Sequence, residues 1–225
     1  MDSVHIEVVM KRNASVSPPT PTPRSTYRHG DLRRALLESG IELARAGGPD
    51  AVVLREATRR AGVVPNAAYR HFASRQDLLE AVRSAALAEL ANAMEAEIAK
   101  VRVKSPEEAA RATLRAVGAG YLRFAFTETG LFRTAFVTAE LGFTAEPARK
   151  GKGGLDPLEL LGSALDKMVG AGLLRPERRP GAEFLCWSAV HGFAMLVVDG
   201  PLHEFPRADI DGIGARVIAM VEAGL

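Results

Sequence analysis

Between residues 54 and 75 the chain gathers side chains suited to gripping a polyanion. Asn66, Tyr69, Arg70 and His71 can all donate hydrogen bonds, and Arg55 and Arg75 flank them. Such donors read base edges in a groove and hold phosphate oxygens. Other chemistries find little support. The run Gly151-Lys152-Gly153-Gly154 lacks the Gly-x-x-x-x-Gly-Lys-Ser/Thr frame of a phosphate loop and follows no strand. The 5 histidines are scattered, without metal-ligand spacing. Ser188 and His191 share a helix but have no third partner or oxyanion hole. Cys186 is the sole cysteine, so no intrachain disulfide is possible, and its apolar surroundings suggest inert packing. No catalytic residue, metal site or cofactor is expected.

The donor group needs a frame, and the local pattern supplies one. A short helix is expected over 54–61 and another over 65–72, joined by Ala61-Gly62-Val63-Val64. These are the proportions of a helix-turn-helix, with Gly62 free to take a positive φ and Val63 placed between the helices. Pro65 opens the second helix, where its missing N–H does no harm. Before them, Leu32, Leu36, Gly40, Leu43 and Ala44 mark one face of a helix that Gly47-Gly48-Pro49 ends. After them, Ser74 caps a longer helix, with Asp77 three residues on.

Charge is distributed to match. Residues 24–83 hold 11 Arg and no Lys against 7 acidic residues, whereas residues 84–225 hold 16 basic and 18 acidic ones. A basic module on a mildly acidic remainder suits a polyanion-binding head, although charge alone also fits a solvated face. The opening segment, 1–26, holds Pro18, Pro19, Pro21 and Pro23 among Ser and Thr and is expected to be a flexible arm. No signal peptide or membrane span is apparent, so a cytoplasmic protein is expected.

The run from Leu54 to Leu79 resembles the DNA-binding domain of the TetR family. The likeness rests on the Ala61-Gly62-Val63 turn, the Tyr69-Arg70-His71-Phe72 end of the second helix and the following Arg75-Gln76-Asp77-Leu78-Leu79, and it extends over about residues 29–83. It implies that Pro65, Asn66, Ala67 and Arg70 face bases, while Arg55, Tyr69, His71 and Arg75 hold phosphates. Phe72 is expected in the core. The sequence departs from the family at Val53 and Val64, where Ser or Thr usually caps the two helices, and at Thr58, where a small Ala is usual. Each lost cap costs about 1 kcal/mol.

The remainder reads as helices almost throughout: 106–127, 130–137, 157–170, 183–199 and about 208–223, with a loop over 142–156. Tyr121–Ala125, Gly130–Arg133 and Trp187–Gly192 resemble the TetR regulatory domains marked by a Trp…His-Gly motif. The implied protein is all-α: an arm (1–26), a three-helix DNA-binding domain (27–83) and a helical bundle (84–225) that dimerises and binds a small molecule. Its implied partners are an operator in double-stranded DNA, a second copy and an unknown effector, and its implied role is a ligand-controlled repressor. Effector binding would act through the helix over 107–127. A small-molecule-binding dimer with vestigial DNA contacts is the alternative. For a ligand pocket, which the resemblance implies, the candidates are Phe124, Leu131, Phe132, Phe136, Leu161, Leu165, Met168, Trp187 and His191; taken singly, each reads more readily as plain core, and Trp187 and His191 as core or dimer seam.

Overall fold

Helices account for all the regular structure among the described residues of the computed structural model, which are 29–137 and 146–225, with side chains from residue 32. The expected arm and part of the expected loop over 142–156 lie outside them. In chain order the helices are α1 (His29–Gly47), α2 (Leu54–Arg60), α3 (Pro65–Ala68), α4 (Arg75–Ile98), α5 (Pro106–Thr127), α6 (Thr129–Ala135), α7 (Pro157–Gly170), α8 (Ala182–Val198) and α9 (Arg207–Gly224). Short 3-10 turns at Pro49–Ala51, Pro147–Arg149 and Pro176–Arg178 link them. No helix among the described residues is long and apolar enough to cross a membrane.

The helix starts follow their capping chemistry. The Asp77 N–H donates to Ser74 Oγ at 3.1 Å, and the Glu108 N–H donates to Ser105 Oγ with Pro106 in the first turn. At α7 the box is complete: the Glu159 N–H donates to Asp156 Oδ1 and the Asp156 N–H to Glu159 Oε2, both at 2.8 Å. α2 and α3 have no such help, because Val53 and Val64 offer no acceptor. Both still start where expected, but α3 ends early. In place of a helix over 65–72, four α-helical residues give way to a tight turn, with the His71 N–H donating to Ala68 O at 2.8 Å.

α1 packs on α2, α3, α4 and α6, so the head encloses its own apolar centre of Leu36, Leu43, Val52, Ala57, Ala68 and Phe72. α4 does not stop at the head: it runs on to Ile98 and packs along α5, α6 and α7. α5, α7, α8 and α9 complete the bundle. The head is therefore welded to the bundle by one long helix.

Candidate nucleic-acid interface and an internal cavity

Gly62 adopts φ 69° at the turn, which an L side chain rarely tolerates, and Val63 packs partly buried against the core behind it. Phe72 is 2% exposed, and the Arg33 guanidinium lies 5.1 Å from its ring centre. Thr58 fits the packed position because its hydroxyl donates to Arg55 O at 2.7 Å, which satisfies it without a partner across the interface.

On this support α2, α3 and the turn after α3 present donors outward. Arg55, Pro65, Asn66, Tyr69 and Arg70 are exposed, while Ala67 and His71 are half-buried. The arginines divide into two sets. Arg59 and Arg60 are held by Glu56, whose carboxyl these guanidiniums pull down to about 2. Arg55 and Arg70 meet no side-chain partner among the described residues. Arg75 differs from both: Nε donates to Val52 O at 2.8 Å and Nη2 to Pro49 O at 2.7 Å. It clamps the 49–52 turn that leads into α2, a positioning role that its sequence setting does not signal.

The second feature is a cavity of about 160 Å³ inside the bundle. α4 contributes Arg83, Leu87 and Met94 to its wall, and α5 contributes Leu114, Val117 and Tyr121. Phe136, Arg149, Leu161, Trp187, Val190, Ile218 and Val221 complete its lining, which is partly open. Of the sequence candidates, Phe136, Leu161 and Trp187 lie on this wall. Phe124, Leu131, Phe132, Leu165 and Met168 are instead buried core. Arg83, Tyr121 and Arg149 carry no local signal of this role, and only the three-dimensional packing brings them together.

His191 sits beside the cavity as part of a polar chain. Trp187 Nε1 donates to Tyr121 Oη at 3.3 Å, and Tyr121 Oη lies 2.7 Å from His191 Nδ1. Burial raises the Tyr121 phenol well above its ordinary range, so it stays protonated and can donate to Nδ1. Burial also lowers His191 from 6.5, and its ring packs at a tilt against Phe132 and Phe136. A neutral imidazole therefore suits the folded chain. The unfolded chain takes up the proton first as pH falls below 6.5, so stability should decline there until the folded ring also protonates. Thermal melts between about pH 7.5 and pH 5 should show that decline, and His191→Asn should flatten it; an unchanged slope would assign it elsewhere.

Close backbone contacts tie head and cavity together. A Cβ on Gly130 in α6 would lie 2.2 Å from Ala44 O at the end of α1, and one on Gly120 in α5 would lie 2.5 Å from Met94 Cα in α4. Arg45 Nε donates to Glu128 Oε2 at 2.7 Å across the same joint. At its other end, α6 places Ala135 and Phe136 on the cavity wall. The glycine-rich loop also has a structural use: the Gly153 N–H donates to the Glu95 carboxylate and the Lys152 N–H to Asn92 Oδ1, which straps the loop to α4.

Residues 36–82 match the model for bacterial regulatory proteins of the tetR family, and residues 114–221 match the tetracyclin repressor-like C-terminal domain. Among solved structures, a protein of unknown function from Rhodococcus sp. RHA1 is 25% identical, with a TM-score of 0.70 over 90% of this chain and 99% of that one. A protein assigned to the TetR family of regulators from Shewanella sp. PV-4 shares the fold at 18% identity, with a TM-score of 0.58 over 86% of this chain and 97% of that one. The TetR-family regulator PfmR from Thermus thermophilus does so at 21% identity, with a TM-score of 0.52 over 84% and 98%. No curated protein matches the chain. With a helix-turn-helix head, a bundle carrying a cavity and family models covering both, the chain belongs to the TetR family of DNA-binding transcription regulators.

Proposed function

We propose that the chain is a homodimeric repressor that binds a palindromic operator and is controlled by a small molecule held in the cavity. The observation that carries this is the pairing, in one chain, of exposed donors on α3 and the turn after it with an apolar cavity that α4 and α6 join to the head. Asn66 and Arg70 read bases, with Pro65 and Ala67 against the groove floor. Arg55, Tyr69 and His71 hold phosphates, while Arg75 keeps the loop before α2 in place. A ligand that moves Phe136 tilts α6 against α1, and α5 passes its own shift to α4. The effector acts only if it binds the splayed heads more tightly than the operator-ready ones.

Gel-shift against DNA upstream of neighbouring genes tests the reading. Arg70→Ala should weaken operator binding by about 10- to 100-fold, in line with a lost base contact of about 1–3 kcal/mol. Arg59→Ala should have little effect, because Glu56 already engages that guanidinium. The short, uncapped α3 favours a second reading, a ligand-binding dimer with vestigial DNA contacts. If neither wild type nor Arg70→Ala gives salt-sensitive, sequence-specific binding, that second reading replaces the first.

A further inference from the structure

We infer that the cavity takes an amphiphilic monocarboxylate, with its carboxylate on Arg83 and Arg149 and its apolar body toward α9. The inference rests on the reading of the cavity as the effector site and names the ligand chemistry.

The walls are not chemically uniform. Arg83 and Arg149 come from α4 and the turn after α6, which pack on one another. Ile218 and Val221 come from α9, which packs on α5 and α8. The two groups therefore come from separate parts of the lining, one cationic and one apolar. Such a layout orients a ligand with one polar end and leaves nothing polar for the other end to meet.

The cationic wall is buried and already built. The Arg83 side chain is 5% exposed and that of Arg149 is 13% exposed. Arg83 Nε donates to Ala135 O at 3.2 Å and Nη1 donates to Glu80 at 3.0 Å, which fixes the plane of the guanidinium. Its Nη2 meets no acceptor among the described residues, although the group lines the cavity. An exposed arginine could satisfy that N–H with bulk water, whereas this side chain is 5% exposed and lines the cavity.

The neighbouring carboxylates do not already fill this place. Glu80 bridges Arg83 and Arg149, and Glu146 pairs with Arg149, but neither is a lining residue of the cavity, and their side chains are 39% and 43% exposed. Asp156, also on the wall, turns its carboxylate to the N–H of Glu159 as a helix cap. A ligand carboxylate on the cavity side would complete the layer of charge-assisted hydrogen bonds, and a guanidinium can meet it with two parallel N–H groups.

The polar chain of Tyr121, Trp187 and His191 does not compete for the ligand's charge. Tyr121 accepts from Trp187 and donates to His191, so its hydroxyl is already satisfied. Size sets the remaining limit: a dry protein cavity of about 150 Å³ holds one benzene ring. The body of the ligand is therefore about one ring or a chain of similar bulk.

Calorimetric titration of the full chain with octanoate and phenylbutyrate, each beside its alcohol, octanol and phenylbutanol, tests this. The carboxylates should bind at least about tenfold more tightly than the alcohols. Arg83→Gln should erase that preference, and Arg149→Gln, which leaves the Arg83 contacts in place, should reduce it if the first variant fails to fold. Ile218→Trp should abolish binding of both classes by filling the apolar end. Equal or tighter binding of the alcohols overturns the inference, as does the failure of both carboxylates to bind. The same samples are then run on the operator gel shift. Release by the alcohols alone keeps the effector reading and rejects the carboxylate, whereas carboxylate binding without any change in DNA affinity does the reverse.

Discussion

A valine at position 130 should be the most damaging single change away from the proposed DNA surface. Even its first carbon would lie 2.2 Å from Ala44 O and 2.5 Å from Arg45 O. Both are backbone carbonyls in the last turns of α1, so no side chain can swing aside and α6 must retreat. α6 cannot retreat cheaply. Phe132 and Leu131 are fully buried on it, and Arg83 Nε donates to Ala135 O at its other end. Overpacking a tight site costs about 1–3 kcal/mol, and for a chain of this size each kcal/mol lowers the melting midpoint by about 2–4 °C. Gly130→Val should therefore melt about 5–10 °C lower, and Gly130→Ala should fall by less in the same direction. Because the joint also links the cavity to the head, any surviving fraction should bind operator with a blunted response to effector. Gly170→Ala is the control: nothing lies within 4 Å of its added carbon, so the melting point should hold or rise. A Gly130→Val protein that melts with wild type would mean that α1 and α6 are not in close contact.

The joint at Gly130 is the kind of feature a sequence does not announce. Helix periodicity, proline in the first turn and the Ser and Asp caps are enough to place α4, α5 and α7, because those signals act within one turn of chain. α3 starts at Pro65 as its pattern suggests but ends early, at Ala68, where the chain tightens into a turn that helical spacing alone does not signal. The exposed donors of α3 and the turn after it are legible from their types and spacing. The cavity is not. A phenylalanine at helical spacing looks the same whether it fills the core, as Phe132 does, or borders a void, as Phe136 does. Arg83 falls within the basic head and reads as surface charge, yet it is 4% exposed and belongs to the cavity wall. Arg75 reads as a phosphate ligand, and its two backbone acceptors lie 23 and 26 residues away in sequence. Burial and long-range pairing decide such roles, and neither has a local signature.

Arginine at both Leu185 and Leu196 should yield a monomer and should weaken operator binding by about a hundredfold or more, since each head then grips alone. The two leucines stand 69% and 47% exposed on the outer face of α8, with Ser188 and Gly192 between them. α9 offers a matching outer face of Gly212, Ala215 and Ala219. Gly192 and Gly212 are the telling residues. Glycine inside a helix costs about 1 kcal/mol relative to alanine, and no atom within 4 Å of either added carbon gives a reason for it inside the chain. A helix from a second copy, crossing at close range between the leucines, would give that reason. Two recognition helices must also meet major-groove faces about 34–36 Å apart, which one head cannot do. Sedimentation should therefore show a dimer for wild type and a monomer for the double variant. The variant should bind an operator with both half-sites no better than one with a single half-site. A double variant that still sediments as a dimer would place the interface elsewhere than on α8.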